Sequence, residues 1–195
     1  MAASKRMVKE ERRKQLLETA YAIVESEGTD SLTLARLAER AGVTKPIAYE
    51  HFRTRAGLLA ALYRDYEEHQ TRAMHAALKA SAKSLEDVAT ILSAAYVDCV
   101  LTAGPECEEI GAALSAYEET KDFRQVSRDF YAAEYRKAVA PFVKLPPKRG
   151  AAILSGIIGA AEALSQAAAT GRMSRAEAVT ALTSIMVGAL QPYAA

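Results

Sequence analysis

Apolar residues recur at every third or fourth position along almost the whole chain, and no stretch alternates as a strand requires. The spacing predicts a first helix over about Lys9 to Glu27, with Leu16, Leu17, Ala20, Ile23 and Val24 on one face and Gly28 as its stop. Thr33 is placed to cap a helix starting at Leu34, and Thr44 to cap a second short one in which Pro46 falls in the tolerant first turn. A longer helix is expected after Thr54, carrying Leu58, Leu59, Leu62, Tyr63 and Tyr66 toward Leu78. Further helices read from Ser84 to a break at Ala103-Gly104-Pro105, from Glu106 to Tyr117, and from Asp122 to Val143. After Leu145-Pro146-Pro147, two more run from Lys148 to Thr170 and from Ser174 to Leu190, with Gly171 between them. The expectation is an all-α protein of about nine helices: a small three-helix head in residues 1–54 and a larger helical body in 55–195.

The stretch LARLAERAGVTKPIAYEHF, Leu34 to Phe52, contains two helices too short to be stable alone. Leu34, Leu37, Ala38 and Ala41 share a face, Gly42 breaks the run, and Thr44 opens the second segment. With the helix before them they fit a helix-turn-helix. The major groove admits one helix while its neighbour crosses the backbone and fixes its angle, so a short reading helix suffices. Ala38, Val43, Ala48, Phe52, Leu58 and Leu59 are expected in the core of so small a unit, and Arg40 and Arg53 as solvated charges.

Charge sharpens this picture. The net charge is only +1, but Lys5, Arg6, Lys9, Arg12, Arg13, Lys14, Arg36, Arg40, Lys45, Arg53 and Arg55 crowd the first part of the chain. That asymmetry points to an anionic partner for the head, although a few basic residues at a terminus also read as a solvated tail. Cys99 and Cys107 have no CxxC spacing and no nearby His pair, so no metal site is expected. They read as reduced thiols packed as small apolar groups, with a disulfide or redox sensor as the alternative. No secretory signal is visible. Ala151 to Ala169 is the most apolar segment, but Glu162 and Gln166 and its small residues make it a buried helix rather than a membrane span.

From about Arg12 to Leu62 the sequence resembles the TetR family of transcription regulators. The matching residues are Glu27-Gly28 closing the first helix, LTLARLAERAGVT, Leu32 to Thr44, as second helix and turn, KPIAYEHF, Lys45 to Phe52, as recognition helix, and RTRAGLLAAL, Arg53 to Leu62, as the opening of the fourth. The resemblance implies that Thr33 caps the second helix and meets a phosphate. It places Thr44 and Lys45 against base edges or phosphates, Pro46 and Ile47 against apolar groups such as a thymine methyl, and Tyr49, His51 and Arg55 near the DNA backbone. Ala35 departs from the polar or basic residue common at its position in the family, so no contact is assigned there or to Arg36.

A single head reads few base pairs, and pairing two by a twofold axis makes the operator palindromic. Ala152, Gly156, Gly159, Ala160, Ala163 and Ala167 form a strip of small residues, flanked by Ile153, Ile157 and Leu164, and Val179, Leu182, Met186 and Leu190 form a stripe on the last helix. In the family the last two helices pair with their mates as a four-helix bundle, which makes Ile153, Gly156, Ile157, Gly159, Ala160, Leu164, Leu182 and Met186 the expected homodimer interface. The alternative is that the strip packs inside one protomer. The resemblance also implies a small-molecule pocket among the middle helices. Tyr96, Cys99, Val100, Ile110, Leu114, Tyr117, Phe123, Phe130, Tyr131 and Tyr135 are its candidates, suited to an apolar effector with one or two polar groups.

The function expected is a ligand-responsive regulator, most simply a repressor, that binds double-stranded operator DNA as a cytoplasmic homodimer. An architectural or accessory DNA-binding protein without an effector is the alternative, favoured by a body that holds no cavity. HExxH, GxSxG, P-loop and dinucleotide motifs are all missing, so neither an enzyme nor a cofactor is expected.

Overall fold

The computed structural model describes residues 8–194, with the backbone alone for 103–108. Lys5, Arg6 and the Cys107 side chain therefore lie outside the described residues. Among the described residues the regular structure is helical: α1 (Lys9–Glu27), α2 (Leu34–Arg40), α3 (Lys45–Phe52), α4 (Arg55–Ser81), α5 (Leu85–Ser115), α6 (Phe123–Val139), α7 (Pro147–Ala169) and α8 (Arg175–Leu190), with short 3-10 turns at Thr29–Ser31, Glu118–Thr120 and Gln191–Tyr193. The two helices expected on either side of Ala103-Gly104-Pro105 form one, α5. Helix α6 stops four residues before the expected Val143: Ala140 is still helical (φ −53, ψ −33), but Pro141 has no N–H to carry the ladder on.

Two compact units share the chain. The first takes residues up to Glu67 together with Pro105–Lys121, and the second takes Glu68–Gly104 and Asp122 onward. Helices α4 and α5 each contribute residues to both.

In the first unit Leu16, Ala20 and Ile23 of α1, Leu37 of α2, Ala48 and Phe52 of α3, and Leu58, Leu59 and Leu62 of α4 are buried. Val43 is only half-buried. Ile110 and Leu114 are buried in the same unit although they come from far along the chain. Gly28 (φ 80) and Gly42 (φ 64) supply the positive backbone angles that end α1 and turn α2 into α3. Glu27 holds α1 to α2: it accepts from Arg36 Nε at 2.9 Å and Nη2 at 3.0 Å, and from Arg40 Nη1 at 3.1 Å. The hydrogen bond from Arg36, more than the accompanying charges, holds the Glu27 carboxyl below its ordinary range. Arg40 is thereby partnered rather than merely solvated.

In the second unit Leu92, Tyr135, Leu154, Ile158, Leu182, Met186 and Leu190 are buried together. Tyr135 Oη donates to Leu92 O at 3.3 Å, and burial pushes its hydroxyl above its ordinary pKa. Arg128 forks onto Glu162 (2.8 and 2.7 Å), tying α6 to α7. Ser174 and Glu177 cap α8 reciprocally. Helix α7 is long and apolar enough to cross a membrane. Gly150, Leu154, Ile157, Ile158, Ala161 and Ser165 on it are buried within the protein.

Candidate nucleic-acid interface

Helix α3 presents one face outward. Thr44, Lys45, Pro46 and Tyr49 are exposed, Ile47 is half-buried beside them, and Ala48 and Phe52 are buried beneath. Tyr49 is 50% exposed. Thr33 caps α2 as expected, accepting from Arg36 N–H at 3.1 Å. Thr44 differs from expectation. It occupies the N-cap position of α3 but its side chain accepts no capping hydrogen bond. Its hydroxyl is thus left for another partner at the start of α3, where Pro46 has no N–H and Ile47 N–H already donates to Thr44 O at 3.0 Å.

His51 lies half-buried toward α1. Burial is the largest influence on its imidazole and pushes the pKa down; Glu50 works the other way, while Lys9, Arg13 and Arg12 add to the lowering. The α1 cations thus sit near α3, a contribution that residue spacing within the helix-turn-helix did not reveal. The Arg13 guanidinium also lies over the Phe52 ring, 5.3 Å from its centroid.

Arg55 is placed differently from the other expected DNA contacts. Its Nε donates to Leu32 O, its Nη2 to Thr29 O and its Nη1 to Tyr117 Oη, each at 2.8 Å. All three guanidinium nitrogens are engaged inside the first unit.

The residues of the expected effector box are divided between the two units. Ile110, Leu114 and Tyr117 belong to the first unit, and Tyr96, Cys99, Val100, Phe123, Phe130, Tyr131 and Tyr135 to the second. Within the second unit Tyr96, Cys99, Tyr131 and Tyr135 line a cavity of about 20 Å³ with Gln70, Thr71, Met74 and Ala95. Tyr96 and Tyr131 meet edge to face, 5.7 Å apart. Thr71 Oγ1 is buried there without a hydrogen-bond partner. The wall from α4 was missed because that helix was read as a connector. Its signal is the helical spacing of Gln70, Thr71 and Met74.

The expected pairing face is also divided. Gly156 and Gly159 are exposed, and a methyl added at either meets nothing within 4 Å. Ile153, Ala160 and Leu164 are half-buried. Ile157, Leu182 and Met186 are buried in the core of the second unit, so they are spent inside the protomer. The surface left for a partner is the small strip with Ser155, Ala163, Ile185 and Gly188.

Residues 16–62 match the family described as "Bacterial regulatory proteins, tetR family". The whole chain is also similar in fold to solved structures. One is a protein of unknown function from Rhodococcus sp. RHA1, at 23% identity and TM-score 0.71, covering 97% of this chain and 99% of that one. Another is a tetR-family transcriptional regulator from Streptomyces coelicolor, at 20% identity and TM-score 0.66, covering 91% and 82%. A third is a TetR-like transcriptional regulator from Rhodococcus sp. RHA1, at 18% identity and TM-score 0.64, covering 94% and 98%.

Proposed function

We propose that the chain, whose residues 16–62 match the tetR family of bacterial regulatory proteins, is a transcriptional regulator, a cytoplasmic repressor that binds a palindromic operator as a homodimer. The observation that carries this reading is the outward face of α3: Thr44 with an uncapped hydroxyl, Lys45, Pro46 and the half-exposed Tyr49 in one row. In this reading residues 1–54 recognise DNA, with Thr33, Thr44, Lys45, Pro46, Ile47, Tyr49 and His51 at the duplex, and residues 55–195 bind the effector and the second protomer. Pairing uses the exposed Gly156–Gly159 strip of α7 and Ile185 of α8.

The effector is a small, largely apolar molecule taken up beside Tyr96, Cys99 and Tyr131, with the Thr71 hydroxyl as a polar partner. A cavity of about 20 Å³ is room for one water, whose probe sphere needs about 10–15 Å³. Binding therefore requires α4 or α6 to give way, and α4, which begins beside α3 and runs on to the cavity wall, is a direct route for that movement. The same small volume favours a second reading, an accessory DNA-binding protein without an effector.

The test is selection of duplexes from a random pool with the full-length protein, then titration of Lys45→Ala against the selected site and its single-base variants. A base contact should cost about 1–3 kcal/mol and relax preference at one position of each half-site, whereas a phosphate contact should weaken all sequences alike. Recovery of no preferred duplex would remove the operator reading. A ligand that raises the melting temperature yet binds equally with and without the duplex would favour the accessory reading, since coupling between sites is reciprocal.

A further inference from the structure

The joint between α3 and α4 is a strained turn. Arg53 has φ 62 and ψ −56, and Thr54 N–H donates across it to Phe52 O at 2.7 Å. This is the positive-φ γ-turn, rare and disfavoured for a residue with a side chain. Such a conformation persists only where its surroundings over-determine it. On one side the first turn of α4 presses close: Gly57 N–H donates to Thr54 Oγ1 at 2.9 Å, and a Cβ on Gly57 would lie 2.2 Å from Phe52 O.

The rest of the constraint comes from the segment Pro105–Lys121, which belongs to the same compact unit. Its side chains reach the two ends of the helix-turn-helix. Before α2, Thr29 Oγ1 donates to Glu109 Oε2 at 3.1 Å. After α3, Thr54 Oγ1 donates to Glu119 Oε1 at 3.0 Å. Between them, Arg55 donates to Tyr117 Oη from one nitrogen and to Leu32 O and Thr29 O from the other two, so one guanidinium joins the entry of α2, the start of α4 and the end of α5. The planar guanidinium, with its donors in a fixed fork, is suited to holding three acceptors at once.

We propose that Tyr117, acting through Arg55, is a positioning residue for DNA recognition: the turn that follows α5 clamps the strained α3–α4 joint and so sets the angle of the recognition helix. Arg55 serves this clamp rather than a phosphate. The inference rests on the operator reading, and it supplies that reading with a point of control. Whatever draws Tyr117 and Glu119 away frees the turn to relax and α3 to leave its angle.

The test uses full-length protein and the duplex best retained by wild type from a random pool, with affinity measured over a range of salt concentrations. Tyr117→Phe keeps the ring and removes only the hydroxyl. It should weaken binding by up to about tenfold, the scale of one hydrogen bond to a charged group, in a protein that remains folded at the assay temperature. Arg55→Met should weaken binding at least as much and leave the slope of log affinity against log salt unchanged. The double variant should be no weaker than Arg55→Met, because the two residues act as one unit. If Arg55 instead neutralised a phosphate in each protomer, Arg55→Met would make that slope shallower by about 0.9 per protomer, about 1.8 for the dimer. Such a change, or unchanged affinity in Tyr117→Phe, overturns the clamp. Amide exchange in α3 without DNA decides independently. Faster exchange confined to α3 and the start of α4 in Tyr117→Phe supports the clamp, and exchange equal to wild type overturns it. If wild type retains no duplex, the operator reading fails and the exchange result still judges the clamp.

Discussion

Replacing Gly57 by alanine should reverse the usual sign of a helix glycine substitution. In an open helical position the change stabilises by up to about 1 kcal/mol, because alanine loses less backbone freedom on folding. At Gly57 the new Cβ would lie 2.2 Å from Phe52 O, 3.3 Å from Thr54 Oγ1 and 3.4 Å from the Phe52 carbonyl carbon. The nearest of these is backbone, so it cannot rotate away. Restoring an ordinary contact requires a retreat of about 1 Å or more. Phe52 O accepts from Thr54 N–H across the strained turn, and losing that bond costs about 0.5–1.5 kcal/mol. The Thr54 cap on Gly57 N–H is strained by the same shift, for about 1 kcal/mol more. Setting the helix gain against these losses leaves a net destabilisation of about 1 kcal/mol. Gly111→Ala in α5, where the added methyl meets nothing within 4 Å, is the control and should be neutral or stabilising. Amide exchange read on peptides covering α3 and α4 locates the effect, which should be faster exchange there in Gly57→Ala and not in Gly111→Ala. Protection of α3 equal to or above wild type in Gly57→Ala would refute the close approach and the strained turn together.

Three further outcomes are expected. Glu134 is buried, which alone would raise its pKa, but hydrogen bonds from Lys137 Nζ and His75 Nε2, each at 2.7 Å, and their charges bring it below the ordinary carboxyl value. A depressed folded-state pKa gives stability that is present above the unfolded value and lost as pH falls through the folded one. Unfolding of wild type should therefore grow easier below about pH 4.5, a dependence that Glu134→Gln flattens; an unchanged acid limb in denaturation against pH would count against this. Gly159→Arg places a long cation on the exposed strip of α7 with space around it in the protomer, so sedimentation should show a folded monomer, and an intact dimer would move the interface elsewhere. Ser174→Ala removes half of the reciprocal cap on α8 and should lower thermal stability by about 1 kcal/mol, with no change refuting the cap.

The helix-turn-helix was legible because its signals are local. Leu34, Leu37 and Ala38 are one face of one short helix, Gly42 is the turn, and Thr33 caps where spacing says it should. Pro141 was equally local, yet the helix was read through it to Val143, four residues past its end. What could not be read is which neighbour covers an apolar face. Ile110 and Leu114 have the spacing of buried residues in any helix, and nothing in their own sequence separates an effector wall from the core of the first unit. Ile157 was read as flanking Gly156 and Gly159, yet a rotation of one residue on a helix is about 100°, enough to turn it inward and leave them outside; Leu182 and Met186 form a stripe on α8, and a stripe alone does not say which neighbour buries it. Arg55 shows the same limit for charge. Its family position suggests the duplex, while its acceptors include a hydroxyl 62 residues away that no local pattern announces.

The first unit is assembled from two separated stretches of chain, and this orders events during synthesis. Residues up to Glu67 leave the ribosome carrying α1, α2 and α3, but Ile110, Leu114, Glu109 and Tyr117 have not yet been made. Roughly fifty more residues must follow, several seconds at about 5–20 residues per second. Until then the apolar surface that Ile110 and Leu114 will join is open, and the Thr29–Glu109 contact, 80 residues apart in sequence, waits on a long loop closure. A nascent chain halted near residue 70 should therefore hold its recognition helix loosely, and gain a firm one only when the end of α5 arrives.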